Sequence, residues 1–196
     1  MAEPGSSGVV NLPNLLTVSR ILATPLFLAL LFADAWYWRS AAVVVFVAAS
    51  LTDLYDGRLA RSRNCVTEFG RFMDPLADKI LVTAALVGLA LGRIVHSWIV
   101  VPIILRDVVI TAMRVRGLRQ GRMMETSRLA KWKTMAQLVA VVIILVLVGL
   151  QELAGHFQWE GPFSWGAWLP LLTNGLMAAV LLLTLLSGFH YFLRAG

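Results

Sequence analysis

SLTDLYDGRLARSRNCVTEFGRFMDPLADKI, residues 50–80, holds four aspartates between long apolar runs. Asp53 and Asp56 are three residues apart, and Asp74 and Asp78 are four apart. On a helix turning about 100° per residue, each pair shares one face, about 60° and about 40° apart. Gly57 and Ala60 fall on the face of the first pair, with Arg61 at its edge. Gly70 lies on the other side of Asp74. Small side chains beside the acids leave room for a group to come close. Pro75 suits a first helical position, with Asp74 as its N-cap. A short antiparallel hairpin would bring the four carboxylates together. Uncompensated, they repel and are costly to desolvate. Hard divalent cations relieve that cost. An all-oxygen set without His or Cys favours Mg²⁺, Mn²⁺ or Ca²⁺ over zinc. Four acids suit two ions, and two-ion sites clamp phosphoryl oxygens.

The surroundings of this stretch are lipid-like. The chain is 59% hydrophobic and 14% charged, whereas a soluble domain is roughly 45–50% apolar and about 25% charged. That excludes an ordinary soluble domain and predicts an all-α integral membrane protein. Apolar segments near 21–35, 40–60, 75–93, 96–115, 130–151 and 168–193 predict six transmembrane helices. The first is short, and Leu15–Val18 extend it. Asn11–Arg20 reads as an interfacial helix leading into it. Residues 1–10 read as a flexible tail without the basic n-region of a signal peptide. Residues 11–196 then form a single membrane domain.

The basic residues orient it. Arg61, Arg63 and Arg71 follow the second segment. Arg116, Arg119, Arg122 and Arg128 follow the fourth, with Lys131 and Lys133 just beyond. The other connections hold Arg39, Arg93 and no basic residue. The positive-inside rule places both termini and the acidic stretch in the cytoplasm. Trp36, Trp38, Trp98, Trp159, Trp165 and Trp168 then fall at the outer ends as an aromatic belt. The net charge of +6 reflects these loops and not a nucleic-acid surface. The lone Cys65 excludes an intrachain disulfide.

The acidic stretch reads D-x2-D-G-x2-A-R-x8-G-x3-D-x3-D from Asp53 to Asp78. At every motif position it resembles the signature of the CDP-alcohol phosphatidyltransferases. The resemblance implies that family's six-helix membrane fold, usually homodimeric, with a cytoplasm-facing polar cavity. It implies a CDP-linked lipid donor, an alcohol acceptor, a divalent metal (Mg²⁺ or Mn²⁺, two ions) and release of CMP. Carried over by position, Asp53, Asp56, Asp74 and Asp78 hold the metal, and Asp78 is also the general base. Gly57, Ala60, Arg61 and Gly70 line the CDP-lipid site with Asp53. Asn14, Thr17 and Arg20, three apart on one helical face, help close it.

The acceptor is read from other segments. PNLLTVSRILATPLF near the N-terminus, LRDVVITAMR at 105–114 and KWKTMAQ at 131–137 look like the subfamily that uses glycerol 3-phosphate. That subfamily makes phosphatidylglycerol phosphate, and the chain is expected in a prokaryotic cell membrane. Asp107 stands where Glu is the commoner residue. Arg106 lies inside a predicted span, where a charge facing lipid costs ~2.5 kcal/mol or more. It is therefore expected to face the cavity. With Arg114, Lys131 and Lys133 it offers a phosphate pocket. Within the family, the alternatives are a cardiolipin synthase using phosphatidylglycerol and a phosphatidylinositol-phosphate synthase. A cation transporter is the alternative of a different class. It is disfavoured because no acid lies between Lys133 and Glu152 or after Glu160.

Overall fold

The computed structural model describes residues 12–63, 68–119, 128–158 and 165–195. Its side chains are described for 19–51, 79–113, 115–117, 132–158 and 166–189. The N-terminal tail 1–10, Cys65 and Trp159 lie outside the described residues.

Among the described residues, six helices correspond to the six expected segments: α1 (Leu12–Leu31), α2 (Trp36–Arg63), α3 (Glu68–Leu91), α4 (Ser97–Arg119), α5 (Arg128–His156) and α6 (Trp165–Ala195). Two expectations change. The interfacial helix expected at Asn11–Arg20 is not a separate element: Asn11 lies outside the described residues, and Leu12 onward is the first half of α1. Leu15–Thr24 contains neither Gly nor Pro, so nothing interrupts the hydrogen-bond ladder there. Nor is Asp74 an N-cap, because α3 already begins at Glu68. Pro75 therefore sits inside a helix and leaves the carbonyl of Arg71 without its usual donor. Helices of membrane proteins tolerate such prolines because the freed carbonyl finds another partner.

The helices close into a ring in the order α1, α2, α5, α6, α4, α3, and α3 also touches α5 across it. The buried seam runs through Leu86, Leu89, Ile103, Ile144 and Met177. Phe27 of α1 meets Phe46 of α2 with ring centroids 5.4 Å apart. Outside the ring, Leu105, Leu171, Leu185, Leu186 and Phe189 are all more than half exposed. So much exposed apolar surface suits acyl chains and not water. Among the described residues, Trp132–His156 and Gly166–Phe189 are long and apolar enough to cross a bilayer. The apolar stretches Ser19–Leu31, Trp36–Leu51 and Lys79–Leu91 are shorter, and α4 carries Arg106 and Asp107 near its middle. The fold is thus an all-α, membrane-associated bundle.

One end of the bundle is pinned by loop contacts. Arg93 takes a positive φ of 56° just past α3. There Arg93 N–H bonds to Ala90 O at 3.1 Å and Ile94 N–H to Leu89 O at 3.0 Å. This pair of bonds is a Schellman stop, with arginine in the position that glycine usually fills. Asn174 of α6 accepts from His96 N–H at 2.9 Å, which ties α6 to the start of α4. Trp36 packs on His156 with centroids 5.2 Å apart, and Arg39 pairs with Glu152. The acidic motif belongs to the opposite end, where α2 finishes and α3 begins.

Gly88 sets the approach of α1 to α3. A Cβ built there would lie 2.7 Å from Leu31 Cδ2 and 3.3 Å from Leu28 Cδ2. Leu31 can turn aside for alanine, but a branched side chain has no free direction. Gly88→Val is expected to cost about 1–3 kcal/mol, the scale of core overpacking. Thermal unfolding of the detergent-solubilised protein checks this, with Gly88→Ala nearer to wild type.

Candidate functional site

The motif occupies two unbroken helices. Asp53, Asp56, Gly57, Ala60 and Arg61 are all on α2, and Gly70, Asp74 and Asp78 are all on α3. Continuous helical backbone makes the spacings three and four equivalent to shared faces. Each half of the motif therefore places its two acids at positions on one face of its helix. The side chains of residues 52–78 lie outside the described residues, so the meeting of the two pairs is not among the contacts seen. The donor set expected from the sequence consists of carboxylate oxygens, which would suit a hard divalent ion. Among the described residues, no group of three or more His, Cys, Asp or Glu offers another metal site.

The described chemistry begins one residue further on. Lys79 Nζ donates to Thr111 Oγ1 at 2.6 Å and to the Asp107 carbonyl at 3.4 Å. Thr111 can accept because its own hydroxyl proton goes to the Asp107 carbonyl, at 2.6 Å. This chain of contacts ties α3, next to Asp78, to the middle of α4. Lys79, Thr111 and Asp107 form the polar end of a groove of about 600 Å³ between α3 and α4. Ile80, Val87, Val108 and Val115 make its walls apolar.

Asp107 is the hub. Lys133 of α5 donates to both its carboxylate oxygens, at 2.5 and 2.6 Å. Arg106 reaches the same carboxylate at 3.3 Å through Nη1. Through Nη2 it donates to Ser187 of α6 at 2.7 Å. Ser187 is oriented to accept, since its hydroxyl donates to Thr184 O at 3.0 Å. Four helices thus meet on one short run of charge: Lys79 of α3, Arg106 and Asp107 of α4, Lys133 of α5 and Ser187 of α6. The Lys133 side chain is only 2% exposed and that of Arg106 only 12%. Charges so enclosed persist only when paired. Even so, Arg106 Nε and Gln137 Oε1 are buried without a hydrogen-bond partner among the described residues.

Of the other expected site residues, Arg20 is buried on α1, and its carbonyl accepts the Thr24 hydroxyl at 2.9 Å. The side chains of Asn14, Thr17, Arg114 and Lys131 lie outside the described residues, although their backbones belong to α1, α4 and α5. Arg106 and Lys133, expected together, are brought together by Asp107. Sequence reasoning passed over Lys79, Ser187 and the hub role of Asp107. An acid inside an apolar segment was the available signal. Its partners are 26 and 28 residues away in sequence, beyond any periodic pattern.

Comparison with known proteins places the chain in a family. The model of the CDP-alcohol phosphatidyltransferase family matches residues 10–186. The chain is also 34% identical over 194 residues to a probable phosphatidylglycerophosphate synthase of Mycobacterium tuberculosis. That match covers 97% of this chain and 84% of the relative. A CDP-diacylglycerol–glycerol-3-phosphate 3-phosphatidyltransferase of Cereibacter sphaeroides is 33% identical over 215 residues, covering 94% of this chain and 95% of the relative. The Bacillus subtilis protein of the same name is 38% identical over 148 residues, covering 69% and 77%. The chain belongs to the CDP-alcohol phosphatidyltransferase family.

Proposed function

We propose that this chain transfers the phosphatidyl group of CDP-diacylglycerol to sn-glycerol 3-phosphate, giving phosphatidylglycerol phosphate and CMP. The observation that carries this reading is the uninterrupted motif on α2 and α3, in a chain aligned over 97% of its length with a probable phosphatidylglycerophosphate synthase. The buried cations of α4 and α5 support a phosphorylated acceptor over a neutral alcohol.

Asp53, Asp56, Asp74 and Asp78 would hold the divalent metal, Mg²⁺ or Mn²⁺ and two ions by resemblance. When bound, it stabilises charge on the phosphates. The acceptor hydroxyl oxygen bonds to the β-phosphorus of the donor. The bond from that phosphorus to the bridging oxygen breaks, and CMP leaves with the electron pair. Asp78 takes the hydroxyl proton, as a carboxylate within hydrogen-bond reach can. Gly57, Ala60, Arg61 and Gly70, with Asn14, Thr17 and Arg20 of α1, bind the CDP-lipid. Arg106, Arg114, Lys131 and Lys133 receive the acceptor phosphate. All six helices cross the membrane, and the motif end and both termini face the cytoplasm. Support for that orientation comes from the basic residues clustered at the motif end. The working unit is a homodimer in a prokaryotic cell membrane, again by resemblance.

Purified protein with CDP-diacylglycerol, Mg²⁺ or Mn²⁺ and glycerol 3-phosphate should release CMP and form phosphatidylglycerol phosphate. A chelator should stop the reaction, and added metal should restore it. No CMP with any acceptor from folded protein would sink the reading. Turnover with phosphatidylglycerol alone would assign the chain to cardiolipin synthesis.

A further inference from the structure

We propose that Asp107 is a positioning residue for the acceptor's phosphate: it holds Lys133 and Arg106 as a preformed pair of cations. The inference rests on the function proposed above and adds a residue to it.

Four observations carry it. First, Asp107 is itself buried and spends both carboxylate oxygens on a single ammonium, at 2.5 and 2.6 Å. Lysine is a flexible point charge, and this two-oxygen grip fixes where that charge stands. Second, Arg106 is held at two points on either side, by Asp107 at 3.3 Å and by Ser187 at 2.7 Å. Its guanidinium plane is therefore set before any ligand arrives. Third, Arg106 Nε is buried and has no acceptor among the described residues. A buried donor left unmade is costly, so the site favours a ligand that brings an acceptor. Fourth, Arg106 and Lys133 share one carboxylate, and among the described residues two positive charges against one negative leave an excess in an enclosed place. A phosphate monoester supplies the missing negative charge and several acceptor oxygens, which an uncharged alcohol does not.

Asp107 therefore acts through the two cations and not on the reacting atoms. Remove its charge, and Lys133 and Arg106 repel each other with nothing between them. The phosphate then meets two mobile cations where it previously met two fixed ones. Ordering them becomes part of the cost of binding. The position also links to the chemistry, because Lys79, the neighbour of Asp78 in the chain, bonds to the Asp107 carbonyl at 3.4 Å.

The test is steady-state kinetics of the full chain in detergent, with CDP-diacylglycerol and glycerol 3-phosphate varied separately. For Asp107→Asn, KM for glycerol 3-phosphate should rise about tenfold, the scale of one hydrogen bond to a charged group. KM for CDP-diacylglycerol should stay within about twofold. A merely structural role would lower the active fraction, and so kcat, while leaving both KM values in place. Unchanged KM for glycerol 3-phosphate therefore overturns the proposal. Asp107→Glu keeps the charge but lengthens its reach by one methylene, and its acceptor KM should fall between those of wild type and Asp107→Asn. If Asp107→Asn does not fold, Asp107→Glu decides: a rise of about threefold supports the proposal, and a wild-type value overturns it. Wild-type protein that turns over no glycerol 3-phosphate sinks the proposed function and this inference together. Normal wild-type turnover with an unmoved acceptor KM sinks this inference alone.

Discussion

Asp78→Asn is expected to abolish CMP release while CDP-diacylglycerol still binds. Asparagine has the shape of aspartate but cannot take a proton, and it is a weaker ligand for a hard cation. Loss of a general base costs about 10²–10⁴-fold in rate, and loss of a metal carboxylate adds to that. The fold should survive, because the position is in an unbroken helix, Glu68–Leu91, and the change adds no volume. Asp74 is one turn earlier on the same helix and keeps its own place. Donor binding is measured by titrating CDP-diacylglycerol into the variant with Mn²⁺ present. Turnover is measured as CMP released. Near-normal turnover would remove Asp78 as the base. Loss of donor binding along with turnover would reduce its part to holding metal.

The second large effect concerns stability. Lys133→Met should destabilise the bundle by about 3 kcal/mol, the lower end of what breaking a buried ion pair costs. The loss comes from Asp107, left buried without its nearest cation. The lower end applies because Arg106 remains 3.3 Å from the carboxylate. Adding Asp107→Asn should recover at least about 1 kcal/mol, since the uncompensated charge is then gone. The double-mutant cycle, read by thermal unfolding in detergent, isolates that coupling. Additive losses would mean that the 2.5 Å contact contributes nothing particular.

The six apolar runs correspond to six helices among the described residues, two of them long and apolar enough to cross a bilayer, where a helix satisfies its own backbone. The errors in the sequence reading fell at boundaries. The change of composition near Arg20 suggested two elements, but the backbone ladder needs no apolar residues to continue. Pro75 suggested a start, yet α3 begins seven residues earlier, at Glu68. Local patterns gave the wrong answer where a terminus depends on what surrounds it.

The spacing of the motif acids was legible from residues 50–80 alone. Their chemistry needs a fixed spacing on two consecutive helices, and such spacing is written in one dimension. Sequence by itself determined the helical membrane class, the family and the two acidic pairs. What only the tertiary structure decided is the company of Asp107. Lys79, Lys133 and Ser187 come from three other helices, at separations of 28, 26 and about 80 residues from the α4 pair. No periodicity relates them. They meet because the ring order sets α4 between α3 and α6, with α5 packed on α6 and touching α3. In that enclosed space a lone acid or base could not stay charged, so each side chain is there on account of the others.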